Sequence, residues 1–437
     1  MSFQHLSQTS TMDRVTSSRN ESSESYYVIC TECGRKMPPG FSAPMCLWCG
    51  GLLTITVDLD KITEGGWRTE QTGVWRYRAL LPIAQETLPV TLGEGGTPLL
   101  RCHRLQEISG IRNLYVKFEG TNPTGSFKDR GMTVGITRAM ELNEHVVACA
   151  STGNTSASLA AYAARAGIRA IILIPSGGIG KGKLIQATAA KAQILEVEGN
   201  FDDAIKLLLD FAHEPGTGIY VLNSVNPFRI EGQKTVAFEI CEQLGRAPDN
   251  VVIPVGNAGN ISAAWKGFSE LKKIGVIDSV PRMIGVQASG ASPIADAISK
   301  GMSDIGEIPN PRTIASAIRI GKPVSWKKAL LAIRESKGTA IAVKDEEIID
   351  AQNSLATLEG IFVEPASAAP VAALRNILES KVIDRDELTV CIATGHGLKD
   401  PETPICEVRT KRIRADSRSF KGVLDTIISQ PSGPGSN

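Results

Sequence analysis

Between residues 114 and 393 the chain alternates short apolar runs with longer stretches whose apolar residues recur at helical spacing. The runs at 114–118, 146–150, 170–174, 193–197, 251–254, 283–287 and 388–393 are brief and largely apolar, and read as strands. The stretches 156–166, 202–213 and 261–274 read as amphipathic helices. This alternation predicts an α/β fold with largely parallel sheets and helices on both faces. Functional groups should then gather beyond the carboxyl ends of the strands.

The pattern fades at both ends. Residues 1–25 are polar, rich in Ser and Thr and without periodicity, and predict a disordered tail; residues 412–437, ending QPSGPGSN, predict a second. Residues 26–57 form a small cysteine-bearing module that closes with a strand at 52–57, and 58–100 read as a connecting arm carrying Trp67, Trp75 and Tyr77. With 437 residues, 42% hydrophobic and 21% charged, two or three packed units are expected of a soluble protein. A net charge of +1 without a basic stripe argues against a nucleic-acid partner. Apolar runs such as 170–174 are too short to span a bilayer. No apolar segment follows Met1, so no secretory signal is expected; the composition of residues 1–20 leaves a short transit peptide open. The expected location is the cytoplasm.

Four of nine cysteines are grouped: Cys30, Cys33, Cys46 and Cys49 form two CxxC pairs twelve residues apart. Gly34 and Gly50 follow the pairs and permit the tight turn that aims the sulfurs at one point. This spacing fits a tetrahedral structural zinc site, while a metal-free ribbon or a redox pair is the alternative. Cys149 and Cys391 lie in strand-like runs and read as core.

Five segments carry candidate chemistry. Lys128 lies in NPTGSFKDRG (122–131), after a Gly-Ser-Phe turn and before a helix, where an amine of lowered pKa could capture a carbonyl cofactor. STGNTSAS (151–158) joins a strand to a helix, so its hydroxyls and N–H groups suit a carboxylate, and the Asn154 amide suits a phenol oxygen; plain N-capping explains the Ser and Thr equally well. VGNAGN (255–260) makes a similar junction with residues small enough to close around a phosphate, and it is not the GxGxxG of dinucleotide sites. NSVNPFRIEGQKT (223–235) offers Asn223, Ser224, Asn226 and Arg229 to a second phosphate, although Arg229 reads equally as a structural ion-pair residue. ATGHGLKDP (393–401) places Thr394 and His396 at a strand end. A hydroxyl facing a pyridine nitrogen leaves that ring unprotonated, which suits elimination and replacement over transamination. His396 reads as a base or as a turn residue.

Together NPTGSFKDRG, STGNTSAS, PVGNAGN and TGHGLKDP resemble, in order and spacing, the fold-type II enzymes that use pyridoxal 5′-phosphate (PLP), the tryptophan-synthase-β-like family, and within them the threonine synthases. The similarity runs from the CxxC module to about residue 405. It implies two doubly wound α/β domains with parallel sheets plus a zinc-ribbon-like module: a large PLP-binding domain over 58–132 and 233–411, a small mobile domain over 133–232, and a homodimer. By position, Lys128 would be the Schiff-base lysine, Asn154 would contact the cofactor's 3′-oxygen, and Thr394 would meet the pyridine nitrogen. Gly256, Asn257, Ala258, Gly259 and Asn260 would cradle the cofactor phosphate. Ser151, Thr152 and Thr155 would hold the substrate, with Thr155, Asn223, Ser224, Arg229 and Asn257 near its phosphate.

The implied activity is that of a carbon–oxygen lyase acting on phosphates, converting O-phospho-L-homoserine and water to L-threonine and phosphate. Lys128 would act as the base. Departing phosphate would assist proton transfer, leaving His396 dispensable. Threonine or serine dehydratases share the cofactor loops but need no second phosphate pocket. Cysteate synthase, acting on phosphoserine, is the nearer alternative.

Overall fold

Every apolar run read as a strand is one, in a computed structural model that describes residues 25–62, 65–176, 181–199, 201–212, 218–400 and 410–429. The strands are β1 Tyr26–Cys30, β2 Leu53–Val57, β3 Leu99–Arg101, β4 Asn113–Phe118, β5 Val146–Ala150, β6 Arg169–Pro175, β7 Gln193–Val197, β8 Ile219–Val221, β9 Asn250–Pro254, β10 Arg282–Ala288, β11 Thr339–Val343 and β12 Leu388–Ala393. They form three sheets. The largest has the order β11-β10-β9-β12-β4-β3, parallel except where β3 pairs with β4. The second, β7-β6-β5-β8, is wholly parallel. The third is the antiparallel ribbon β1-β2.

Alternation of side chains explains why the large sheet needs helices on both faces. Val251 and Ile253 of β9, with Val390 and Ile392 of β12, join one buried cluster with Phe238 and Phe268 from the helices Thr235–Leu244 and Gly259–Lys273. Val252 and Cys391 point the other way, into a cluster with Leu355 and Ala369 from the helices Asp345–Glu359 and Pro365–Ala372. Cys391 and Cys149 are core residues, as their contexts predict.

A buried ion network fastens the helix Lys128–Glu141 to this frame. Arg130 donates to Glu119 (2.6 and 2.7 Å) and to Glu239 (2.7 Å to each oxygen), and Lys117 donates to Glu239 at 2.8 Å. Trp75, on the arm, donates its indole N–H to Thr133 of the same helix at 2.9 Å. The ribbon rests on the helix Pro227–Gln233, where Tyr26 meets Phe228 edge to face at 6.0 Å. Lys266 and Lys328 tie it further by donating to the carbonyls of Ile55 (2.6 Å) and Leu53 (2.9 Å).

Residues 1–24 and 430–437 of the expected tails, and Cys406, lie outside the described residues. The segment expected as a C-terminal tail differs where it is described: Ser417–Ile428 is a helix. Its local signals are sufficient, since Asp416 accepts from the Ser419 N–H at 2.7 Å and Phe420, Leu424, Ile427 and Ile428 recur at helical spacing. None of its residues is buried. Among the described residues no helix is long and apolar enough to cross a membrane.

Candidate active site

The loop before Lys128 is pinned to the end of β12 by main-chain bonds. Phe127 N–H donates to Thr394 at 3.0 Å, and His396 N–H donates to Gly125 at 2.9 Å. Gly125 has φ +84°, a left-handed conformation that glycine adopts without cost. The first and last motifs are therefore one structural unit, with Lys128 opening its helix half-buried beside Thr394. The Lys128 Nζ lies 3.7 Å from the centroid of the Phe127 ring. Burial above all, then the nearby charge of Arg229, pushes the Lys128 pKa down to about 7, while Glu364 opposes the shift. An amine in this state is about half neutral, and so nucleophilic, at neutral pH. Asp129 beside it is locked by Thr124 N–H (2.7 Å), Thr124 Oγ1 (2.6 Å) and Ser158 Oγ (2.6 Å).

Asn154 is the first residue of the helix Asn154–Ala166, reached from the carboxyl end of β5 through Gly153. The Ser151 hydroxyl accepts from Gly153 N–H at 3.3 Å, and Thr152 and Thr155 are half-buried in the same turn. Asn154 Nδ2 lies 3.1 Å from both carboxylate oxygens of Glu364.

The NSVNPFR segment divides its work residue by residue. Asn223 uses its amide to clasp the main chain of Ala150, accepting from the N–H at 2.9 Å and donating to the carbonyl at 3.0 Å. Asn226 caps the helix Pro227–Gln233 by accepting from Phe228 and Arg229 N–H, with Pro227 in the first turn. Ser224 stays half-buried. Arg229 is 2% exposed and donates to the Leu222 carbonyl at 3.0 Å; its Nε has no partner, and no carboxylate pairs with it among the described residues. Burial pushes its pKa down to about 10, which leaves it charged.

VGNAGN turns from β9 into the helix Gly259–Lys273. Ala258 caps that helix at φ +65°, a conformation costing an alanine on the order of 1 kcal/mol. Asn257 accepts from Val324 N–H at 3.2 Å, and a Cβ on Gly256 would stand 3.0 Å from the Ala317 carbonyl. The first N–H groups of a helix lack intrahelical partners, so this turn presents donors to an anion. A Cβ on Gly259 would be 3.6 Å from Ile230, which brings the loop against the Arg229 helix.

Thr394 shares a 2.9 Å hydrogen bond with Ser367, whose hydroxyl also accepts from Gly395 N–H at 2.7 Å. His396 behaves as a turn residue: its Nδ1 accepts from Leu398 N–H at 3.2 Å. Ser367 and Glu364 escape a motif-based reading because they lie in EPASAAP, a run of small residues that looks like plain core helix.

The residues present suit PLP. Beyond the softened amine, three buried polar atoms without partners lie on these segments: Ser126 Oγ, Arg229 Nε and Asn260 Nδ2. Buried polar groups are normally satisfied, so such a cluster indicates a site built for a polar ligand. Away from it, the sulfurs of Cys30, Cys33, Cys46 and Cys49 all lie within 4.8 Å of one another. Gly34 and Gly50 turn at φ +71° and +67°, as the CxxCG spacing requires. Four thiolates so arranged could hold one tetrahedral metal ion.

Parallel sheets, a lysine of depressed pKa at a strand–helix junction and a second strand–helix anion cradle define a fold-type II PLP enzyme. Residues 90–395 match the family described as pyridoxal-phosphate dependent enzyme, and the chain belongs to it. Within that family it groups with the threonine synthases. It is 55% identical to threonine synthase of Methanocaldococcus jannaschii over 91% of this chain and 99% of that protein. It is 51% identical to threonine synthase of Mycobacterium tuberculosis over 75% and 89%. The fold is shared with maize serine racemase (TM-score 0.59, 22% identity, 76% of this chain and 92% of that one) and with diaminopropionate ammonia lyase of Escherichia coli (TM-score 0.61, 19%, 72% and 87%).

Proposed function

We infer that the protein is a threonine synthase, a PLP-dependent lyase that converts O-phospho-L-homoserine and water to L-threonine and phosphate. Within the geometry, the observation that carries this reading is Arg229: a buried cation with no carboxylate partner among the described residues, close enough to Lys128 to depress its pKa. A dehydratase acting on an unphosphorylated amino acid has no use for such a charge.

The roles of individual residues are part of the proposal. Lys128 would hold the cofactor covalently, Asn154 would donate to its 3′-oxygen, and Gly256, Asn257, Ala258, Gly259 and Asn260 would bind its phosphate. Thr394, oriented by Ser367, would face the pyridine nitrogen. When bound, the cofactor supplies an electron sink that acidifies the substrate's α-hydrogen. The Lys128 amine, substantially neutral near neutral pH, would take the α-proton and then a β-proton and would return protons to Cγ and Cα. Arg229, with Thr155, Ser224 and the remaining amide hydrogen of Asn223, orients the substrate phosphate so that the Cγ–O bond breaks. Ser151 and Thr152 hold the substrate carboxylate at the helix N-terminus. Water adds at Cβ, and His396, held in its turn, takes no step.

The reading extends to a structural zinc ion on Cys30, Cys33, Cys46 and Cys49, supported by the sulfur spacing. It extends also to a cytoplasmic location, supported by eight unpaired cysteines among the described residues, and to a homodimer with a mobile unit over 133–232, supported by the fold type. The test is phosphate release by the PLP-loaded protein from O-phospho-L-homoserine, O-phospho-L-serine and L-threonine. Equal amounts of threonine and phosphate from the first are expected; activity on phosphoserine alone would assign cysteate synthesis instead.

A further inference from the structure

Glu364 is a buried carboxylate that reaches the proposed cofactor site, and no step above uses it. It is 4% exposed and immediately precedes the helix Pro365–Ala372, packed on the large sheet. Its main-chain N–H donates to the Gly395 carbonyl at 3.1 Å, which holds its backbone beside Thr394. The side chain lies against Gly395, where an added Cβ would come within 2.5 Å of Glu364 Oε1. A side chain at Gly395 would therefore displace this carboxyl group. Both carboxyl oxygens stand 3.1 Å from Asn154 Nδ2, across the gap between the large and small sheets.

Resting on the threonine synthase reading, we propose that Glu364 is a positioning residue: by accepting one Asn154 side-chain N–H, it fixes the amide's orientation and so sets the hydrogen bond that Asn154 gives the cofactor's 3′-oxygen. A primary amide has two N–H groups. With one anchored on Glu364, the other is directed by the plane of the amide and does not rotate freely. The bond also joins the helix that carries Asn154 to the large sheet, so the donor is in place only when the two units are in register.

Burial raises the Glu364 pKa; the Asn154 bond and the charges of Lys399 and Lys128 oppose this, and Asp400 adds to it. These groups face the carboxyl from the 393–400 segment, the Lys128 helix and the Asn154 helix.

The two ways Glu364 could act differ in sign, and the visible absorbance of the bound cofactor distinguishes them. A donor on the 3′-oxygen competes with the proton of the cofactor–lysine linkage for that oxygen, so weakening the donor raises the pH at which the band titrates. Removing a nearby negative charge lowers that pH. The experiment is a spectrophotometric pH titration of the PLP-loaded wild type, Glu364→Met, Glu364→Gln, Asn154→Ala and the Glu364→Met/Asn154→Ala double variant. Glu364→Met, similar in length but with no acceptor, is expected to raise the midpoint by about half to one pH unit, the size of one modest hydrogen bond. Glu364→Gln, whose carbonyl still accepts from Asn154, is expected to stay at the wild-type midpoint. The double variant should match Asn154→Ala, because Glu364 acts through Asn154. In turnover, Glu364→Met should lower kcat about three- to tenfold with the phosphohomoserine KM nearly unchanged.

A lowered midpoint in both single Glu364 variants, or additivity in the double variant, overturns the proposal. So does an unmoved midpoint in Glu364→Met that carries its full complement of cofactor. If Glu364→Met fails to fold, Glu364→Ala serves with the same expectations. A wild type with no lysine-dependent visible band would instead remove the PLP reading, which separates the two failures.

Discussion

Replacing Arg229 with methionine should stabilise the protein while disabling it. Methionine keeps most of the apolar stem between the helices Lys128–Glu141 and Pro227–Gln233 and removes a guanidinium that is 2% exposed. Burial holds that group's pKa near 10, which against the ordinary arginine value amounts to roughly 3 kcal/mol disfavouring the charged form. The substitution also strands the Leu222 carbonyl, the one hydrogen-bond acceptor Arg229 has among the described residues, at a cost of about 1–3 kcal/mol. The balance lies between neutral and about 2 kcal/mol in favour of the variant. Loss of the charge-assisted bonds to a phosphate, about 1.5–3 kcal/mol each, should lower kcat/KM on phosphohomoserine at least about 100-fold. The thermal midpoint of the PLP-loaded variant should equal or exceed that of wild type, and inorganic phosphate should raise only the wild-type value. A drop equivalent to about 3–5 kcal/mol, the cost of breaking a buried ion pair, would make Arg229 structural and sink the reasoning.

Four further outcomes follow from other parts of the molecule. Loading of cofactor-free protein with PLP should accelerate as pH rises through about 7, where Lys128 loses its proton; a rate still climbing toward pH 10 would mean an ordinary lysine. Glu239, held near pKa 2 against burial by Arg130 and Lys117, contributes stability above the usual carboxylate range that is lost as pH falls toward 2. Glu239→Gln should accordingly cost about 3–5 kcal/mol at neutral pH and flatten that acid limb in thermal scans. Chelation, or Cys46→Ser, should raise the substrate KM without bleaching the bound cofactor, because β2 packs on the Arg229 helix and not on Lys128; loss of the cofactor band first would contradict this. His396→Asn should keep activity within about threefold, since its ring serves a local turn; a fall of 100-fold or more in kcat would restore it as a base.

Among the strands read from sequence, β9 and β12 are buried on both faces and their runs are almost wholly apolar. Those overlooked have weaker signatures for physical reasons. Strand β3 is three residues long and largely exposed, β8 is three residues long, and β11 is an edge strand with half-buried positions. At the site, motifs revealed segments better than side-chain duties. NSVNPFR reads as four potential phosphate ligands, yet Asn226 is spent on capping and most of Asn223 on clasping Ala150. Glu364 and Ser367 were hidden because burial and long-range contacts, not local pattern, make them part of the site. The helix Ser417–Ile428 was overlooked because the polar residues around it outweigh its apolar spacing.

The buried cations of this chain separate structure from function without reference to any relative. Arg130 faces two carboxylates, Lys117 faces Glu239, and Lys234 sits between Glu231 (2.5 Å) and Glu270 (2.7 Å). Arg78, with no carboxylate among the described residues, is met by three main-chain carbonyls. Arg130, Lys117 and Lys234 are thus neutralised by carboxylates, and Arg78, though its Nε is without a partner, by three carbonyls, arrangements that folding alone can select. Arg229 has a single carbonyl and, among the described residues, no carboxylate. Sequence could not rank it against Arg130, the ninth residue of NPTGSFKDRG, because both are arginines in the first turn of a helix within a motif of equal promise. The difference lies in what surrounds them: folding supplies the counter-charges of Arg130 and leaves that of Arg229 to an anionic ligand. After burial, the same unneutralised charge adds to the depression of the Lys128 pKa. A phosphate arriving at Arg229 would therefore raise the basicity of Lys128 as it binds, readying the released amine to take the α-proton.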